Sequence, residues 1–397
     1  MILAYIRFME HVNRRNFLKL SAAAAVSTSA AFPKIVVPKT ASLDKASTNV
    51  DFTGDGIHLS PADYSHLLAQ LTEKATVVAD SYSLHGCVEE LETRFARLLG
   101  KPSAIFMPTG TLANHLAIRA LAGSNSRVIV QNESHVYCDT GDSTQTLSQL
   151  NLIPLGVNQA TFTLEEVQEV LQKTAAGRVA RKVGVIFSIE SPVRRKRGEL
   201  FDPQQMKQIC DFARQQEIKL HLDGARLFLA SAYTGISPAD YAAPFDTVYV
   251  SLYKYFNAAS GAILAGPKEL IEPMFHTRRM FGAGLPQAWP YALVALHYAD
   301  GFQERYQQAV KNSEALIQKL AKHPGFEVER VTSGTNIFSL VVKDKDLKTY
   351  AEQLKKRGVT VFPPASPTNR LMMQVNETAG RLSAQQLEQI FVESLRS

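Results

Sequence analysis

The chain has 397 residues, 45% of them hydrophobic and 20% charged, a balance that excludes collagen-like, low-complexity and disordered classes. Its length exceeds what one hydrophobic core holds and suits a large domain with a smaller one. Half of the net charge of +6 comes from Arg7, Arg14, Arg15 and Lys19 against Glu10, and the remainder is too thin for a nucleic-acid footprint.

In chain order, Asn13-Arg14-Arg15-Asn16-Phe17-Leu18-Lys19 comes first, followed by an alanine-rich apolar stretch and the small residues Ser27 to Ala31. This pattern predicts a twin-arginine export signal over 1–32 and a periplasmic destination; an amphipathic helix in a cytoplasmic protein is the alternative. A linker rich in Pro, Thr and Ser follows over 33–48. Strands are then predicted at Ala104–Met107, Arg127–Val130, Val183–Ile189, Lys219–Leu222 and Asp246–Ser251, with helical patterns between them. Thr163 to Glu166 forms a capping box, and Asp202-Pro203 opens another helix.

This alternation implies a mainly parallel sheet covered by helices, in a large domain spanning 49–297. Residues 290–322 read as one long helix or two. Strand patterns at Asn336–Val342 and Arg370–Val375, with a helix capped by Ser383, fit a small α+β domain over 298–397. No stretch is apolar enough to span a membrane. Cys87, Cys138 and Cys210 form neither a disulfide framework nor a metal-ligand spacing, so buried thiols and no metal are expected. The basic run Arg194-Arg195-Lys196-Arg197 reads as a solvated loop.

Five polar segments fall just beyond predicted strand ends, where open parallel sheets bind ligands: Thr109-Gly110-Thr111, His135, Glu190, Asp223 and Lys254. The first begins a helix with no bulk at Gly110, so backbone N–H groups and hydroxyls can hold a phosphate; a plain capped turn explains it equally well. Asp223 can keep a pyridine nitrogen protonated, or simply cap a helix. Lys254, between Tyr253 and Tyr255, can lose its proton in a partly apolar pocket and form an imine; an exposed loop lysine is the alternative. His135 fits ring stacking, proton transfer or a satisfied core position.

His221-Leu222-Asp223-Gly224-Ala225-Arg226-Leu227-Phe228 with Lys254, Pro108 to Asn114, His135 and Gly282 to Ala288 resemble the threonine aldolase/aromatic amino acid β-eliminating lyase family. The resemblance runs from about residue 50 to the C-terminus. It implies a fold-type I PLP-dependent transferase-like fold with a seven-stranded sheet, pyridoxal 5′-phosphate (PLP) as cofactor, and a homodimer or homotetramer. It further implies that Lys254, His135 and Asp223 are catalytic. Thr109, Gly110, Thr111, His135, Asp223, Arg226 and Lys254 would hold the cofactor, while Arg226 and Arg370 grip the α-carboxylate of an amino-acid substrate.

Departures cluster on the substrate side. Val193 stands where the family has a histidine near the substrate hydroxyl, and Thr53-Gly54-Asp55 replaces Arg-Ser-Asp. Tyr82-Ser83-Leu84-His85 replaces Tyr-Gly-Glu-Asp, which leaves Tyr82 as a substrate contact. Pro286 replaces an arginine that reaches a neighbouring subunit's phosphate, a task open to Arg278 or Arg279. Arg194 is a candidate ligand for an acidic substrate side chain. The expected reaction is Cα–Cβ cleavage of a β-hydroxy-α-amino acid; β-elimination, or an exported non-catalytic binding protein, are the alternatives.

Overall fold

The computed structural model describes residues 48–363 and 369–396, apart from the side chains of 186–188. The twin-arginine segment and the linker up to residue 47 lie outside the described residues.

Twelve strands occur among the described residues: β1 (Val50–Asp51), β2 (Ser103–Met107), β3 (Arg127–Gln131), β4 (Asn151–Leu155), β5 (Val183–Glu190), β6 (Lys219–Asp223), β7 (Thr247–Ser251), β8 (Ala262–Gly266), β9 (Phe326–Glu329), β10 (Ile337–Val342), β11 (Val359–Thr360) and β12 (Arg370–Gln374). The main sheet has seven strands in the order β2-β8-β7-β6-β5-β3-β4. Only β8 runs against the others, because both β2 and β7 pair with it antiparallel while the remaining pairs are parallel. The expected fold-type I α/β architecture is therefore present. All five residues of β7 and of β8 are buried, as strands covered on both faces should be.

The local punctuation acts as the sequence suggests. Thr163 and Glu166 close a reciprocal capping box, as do Ser383 and Gln386, and Asp202 accepts from the Gln205 N–H in front of Pro203. The 290–322 pattern is two helices, Trp289–Ala299 and Phe302–Leu320, separated where Gly301 takes a left-handed φ of 62°.

The second core is built on the antiparallel sheet β12-β10-β9 and packs Leu340, Leu371 and Met373 against Leu316, Leu354, Leu387 and Phe391. Val50 and Phe52 belong to this core as well, since β1 pairs with β11. The N-terminal edge of the expected large domain thus packs with the C-terminal residues. Of the cysteines, Cys87 and Cys210 are buried but Cys138 is exposed, contrary to expectation. No helix among the described residues is long and apolar enough to cross a membrane.

Candidate active site

The carboxyl edge of the main sheet opens on a cavity of about 210 Å³ that Gly110, His135, Glu190, Asp223, Arg226 and Lys254 help to line. A larger, open groove of about 560 Å³ between residues 72–79 and Trp289 carries only Glu73 and Lys74 as charged groups, so the convergence of chemistry lies in the smaller cavity.

Asp223 ends β6 with its carboxylate buried. One oxygen accepts from the Asn114 amide at 2.6 Å and the other from the Ala225 N–H at 3.1 Å. The Asn114 carbonyl oxygen lies 3.0 Å from His221 Nε2, and His221 Nδ1 lies 2.7 Å from the Thr247 hydroxyl. Burial pushes the His221 imidazole down to about 3 against a smaller opposing effect from Thr247, so the ring is neutral at physiological pH. Its tautomer follows from the neighbours. Asn114 spends its N–H on Asp223, so Nε2 must donate to the Asn114 oxygen, and Thr247 must donate to Nδ1. Asp223 is therefore the accepting end of a chain of four buried side chains.

Lys254 lies just past β7. Its Nζ donates to the Tyr253 hydroxyl at 3.2 Å and sits 4.6 Å from that ring's centroid. Behind it, Tyr255 and Phe256 are buried, and Phe256 packs edge-on against Phe228 and Phe302 at 5.1 Å each. Such pairs add roughly 0.5–1.5 kcal/mol each beyond burial, which anchors the lysine loop. Gly56 presses on the same loop: a Cβ there would lie 2.3 Å from the Lys254 carbonyl oxygen.

The helix Gly110–Ala122 points its N-terminus at the cavity. The Thr109 hydroxyl caps it by accepting from the Leu112 N–H at 3.2 Å; Thr109 itself does not line the cavity, whereas Gly110 and Thr111 do. A Cβ on Gly110 would fall 1.9 Å from the Tyr249 hydroxyl, so glycine is required for that phenol to reach the cavity wall. Burial, then Asp223, pushes the phenol well above its usual range and keeps it a proton donor.

Glu190 ends β5 beside Asp223 and accepts the backbone N–H of His135 at 2.7 Å and of Arg194 at 3.1 Å. Burial first, and the Asp223 charge second, push its carboxyl up to about 7. His135 lines the cavity half-buried. Arg226 is nearly buried and gives its Nε to Asp55 at 2.8 Å. Asp55 also accepts from Asn336 at 3.1 Å and from Gln374. Burial alone would raise Asp55; Arg226, Lys254 and the two amides together hold it below the usual carboxylate range.

Of the expected substrate contacts, Arg226 and Arg194 line the cavity, but Arg370 and Tyr82 do not. Arg370 opens β12 and forms a two-pronged pair with Glu329, at 2.8 to 3.0 Å, with its side chain 48% exposed. Tyr82 is exposed; its N–H bonds to the Pro286 carbonyl and its ring lies under Arg279. Arg278 is fully buried and spent on the Phe106 and Tyr82 carbonyls, which leaves Arg279 as the exposed one of the two. Val193 is fully buried and does not line the cavity, so its side chain is no substitute for a catalytic group. Sequence reasoning assigned no role to Asn114, Tyr249 or Asp55. Asn114 carried a signal, since it falls one helical turn after Gly110 on the same face.

The geometry fits PLP: a bulk-free helix start, a fixed buried carboxylate and a lysine meet at one cavity. A model of the family described as beta-eliminating lyase matches residues 66–343. The chain is 30% identical over 212 residues to the low-specificity L-threonine aldolase of Candida albicans, covering 53% of this chain and only 56% of that protein. It is 25% identical over 320 residues to the low specificity L-threonine aldolase of Escherichia coli K12, covering 80% and 93%. A solved structure from Exiguobacterium sp. 255-15, named for aromatic amino acid beta-eliminating lyase and threonine aldolase, superposes with a TM-score of 0.74 at 24% identity, covering 87% of this chain and 96% of that one. By its match over most of its length and by its fold, the chain belongs to the beta-eliminating lyase family of fold-type I PLP-dependent enzymes.

Proposed function

We propose that the protein cleaves the Cα–Cβ bond of a β-hydroxy-α-amino acid to glycine and an aldehyde. The observation that carries this reading is the meeting of Lys254, Asp223, Arg226, Glu190 and His135 at one cavity. Bound PLP supplies an electron-accepting ring for the pair released when a bond to Cα breaks. Asp223, fixed through Asn114 and His221, is the anion that keeps the ring nitrogen protonated. Lys254 would hold the cofactor and is the group placed to move a proton at Cα. Arg226, braced by Asp55, binds the α-carboxylate through its remaining N–H groups. Glu190, poised near neutrality, and the His135 ring both line the cavity and are the groups we assign to take the β-hydroxyl proton.

A specific observation favours a second reading. Position 193 holds a buried valine, so the histidine that serves the substrate hydroxyl in relatives has no counterpart there. β-Elimination from an amino acid with a leaving group on Cβ needs only Lys254 as the Cα base. A panel of β-hydroxy and β-substituted amino acids, followed for glycine and aldehyde separately from ammonia and keto acid, decides between them. Release of ammonia and keto acid alone sinks the aldolase reading. Export through Arg14 and Arg15, and assembly as a homodimer or homotetramer, are part of the same proposal; Arg14→Lys/Arg15→Lys should retain the protein in the cytoplasm.

A further inference from the structure

The basic run 194–197 does not behave as one solvated loop. Arg195 pairs with Asp139 at 3.0 Å and Glu133 at 3.6 Å, and Lys196 donates to the Asn158 carbonyl at 2.8 Å. Arg197 is exposed, with a left-handed φ of 57°. Of the run, Arg194 alone lines the cavity without a carboxylate in ion-pair contact. Its backbone N–H is spent on Glu190, but its guanidinium has no hydrogen-bond or ion-pair partner among the described residues. It is half-buried; burial and then the neighbouring Arg226 oppose its charge, and Asp55, itself paired with Arg226, offsets them only in part.

The turn that presents Arg194 is rigid. The Val193 N–H bonds to the Glu199 carbonyl and the Gly198 N–H to the Val193 carbonyl, while Glu199 bridges to Gly334. Gly198 has a φ of 72°, and a Cβ there would meet the Thr335 hydroxyl at 2.8 Å. The backbone of Arg194 is therefore held at the cavity rather than carried on a loose loop. Arg226 differs from it in having Asp55 as a counter-ion. Among the described residues, three guanidiniums line the cavity; Arg195 and Arg226 have carboxylate partners and Arg194 has none within ion-pair distance, so it is the one left for an incoming anion, because a partly buried charge is retained where something pairs with it.

We infer that Arg194 is the ligand for a second carboxylate, so that the substrate class is β-hydroxy-α-amino acids bearing an acidic group at Cβ. This rests on the amino-acid-lyase reading above. Arg226 takes the α-carboxylate and Arg194 the distal one. On cleavage the β-hydroxyl loses its proton and becomes the aldehyde of an oxo acid, and Cα gains a proton to give glycine.

The test is binding of L-aspartate, L-asparagine and glycine to the PLP-loaded protein, by calorimetry and by the change in cofactor absorption. Aspartate and asparagine differ only in the charge of the distal group. A charged hydrogen bond predicts aspartate at least about 10-fold tighter than asparagine. Arg194→Gln should weaken aspartate about 10- to 100-fold and erase the preference, with glycine affinity and cofactor retention held. Arg194→Lys, which keeps the charge but not the fork, should retain part of the preference. Equal wild-type binding of aspartate and asparagine, or no binding of aspartate, overturns the inference. So does an equal loss for glycine in Arg194→Gln, which makes Arg194 an α-carboxylate ligand, or loss of PLP, which makes it a phosphate ligand. Selective aspartate binding without product from any β-hydroxy or β-substituted amino acid would instead break the lyase reading and leave the acidic-ligand site standing.

Discussion

The cavity has two walls, and they are held in different ways. On one, Asp223, Asn114, His221 and Thr247 lock each other in a buried chain whose donors and acceptors all match. Those residues sit on β6, β7 and the helix after β2, so regular structure sets their spacing. On the other wall, Arg194 sits on a turn tied to Glu190 and Glu199, and Arg226 is held by Asp55, which Asn336 and Gln374 brace from far away in sequence. Loops can change without disturbing the sheet, so the proposed substrate selectivity is expected to rest on the second wall.

The largest effect expected on the first wall belongs to Lys254. Lys254→Ala should lose the borohydride-trapped cofactor adduct, read by mass, and lower turnover by roughly 10²–10⁴. An adduct that survives on another lysine would break the assignment of that wall.

Glu190 lies where the walls meet, and its effect is a pH dependence. Burial and the Asp223 charge push its carboxyl up to about 7 in the folded protein, against about 4.5 for an ordinary glutamate. The unfolded chain therefore releases this proton first, and stability falls as pH rises from about 4.5 to about 7, by up to about 3 kcal/mol, then levels off. Glu190→Gln should remove that slope in melting curves of the cofactor-free protein, though it also forfeits one of the two backbone N–H bonds. An unchanged slope would mean that another group titrates in this window.

Two further substitutions sharpen the contrast on the cofactor side. Gly110→Ala should destabilise the fold by about 1–3 kcal/mol, because the new methyl collides with the Tyr249 hydroxyl. In a Tyr249→Ala background, which also removes the ring carbon Cζ that would lie 2.4 Å from the methyl, Gly110→Ala should cost less than in the wild type, and an undiminished cost would show that the helix start moved instead. Asn114→Ala strips the buried Asp223 of its amide partner. At about 1–3 kcal/mol for an unsatisfied buried group, PLP affinity should fall roughly 10-fold in a fluorescence titration. Unchanged affinity would reduce the four-residue chain to a packing feature.

These walls were not equally legible in the sequence. Positions at strand ends were readable because an apolar run followed by a polar residue is a local pattern, and five such places fell in order. β4 was missed because Pro154 breaks a strand pattern, which an edge strand tolerates, and β4 is the edge. β8 was missed because Ala262–Gly266 is a short run with three small residues, and it becomes a strand only by pairing with β2 and β7. Hydrogen-bond partners 109 residues apart, as in Asn114 and Asp223, leave no local trace. The basic run 194–197 looked uniform for the same reason: the groups that neutralise Arg195 lie more than fifty residues earlier.

Arg370 is the sharpest test of the comparison, and its expected effect is the smallest. Family resemblance makes it an α-carboxylate ligand beside Arg226. In the folded chain its guanidinium instead grips Glu329 on the neighbouring part of the small sheet, half exposed to solvent. Four residues further along β12, Gln374 reaches Asp55, so this strand meets the site through its carboxyl end rather than through Arg370. An exposed ion pair adds little, and a surface substitution away from the cavity should leave glycine binding to the PLP-loaded protein within about twofold. Arg226→Ala, in contrast, strips the buried Asp55 of its partner and should abolish tight glycine binding. Titrating both variants with glycine separates the cases. If Arg370→Ala loses glycine as severely as Arg226→Ala, Arg370 exchanges Glu329 for the substrate carboxylate on binding, and the substrate wall extends to β12. Glu329→Gln would then tighten glycine, because the arginine would no longer have a competing carboxylate to leave.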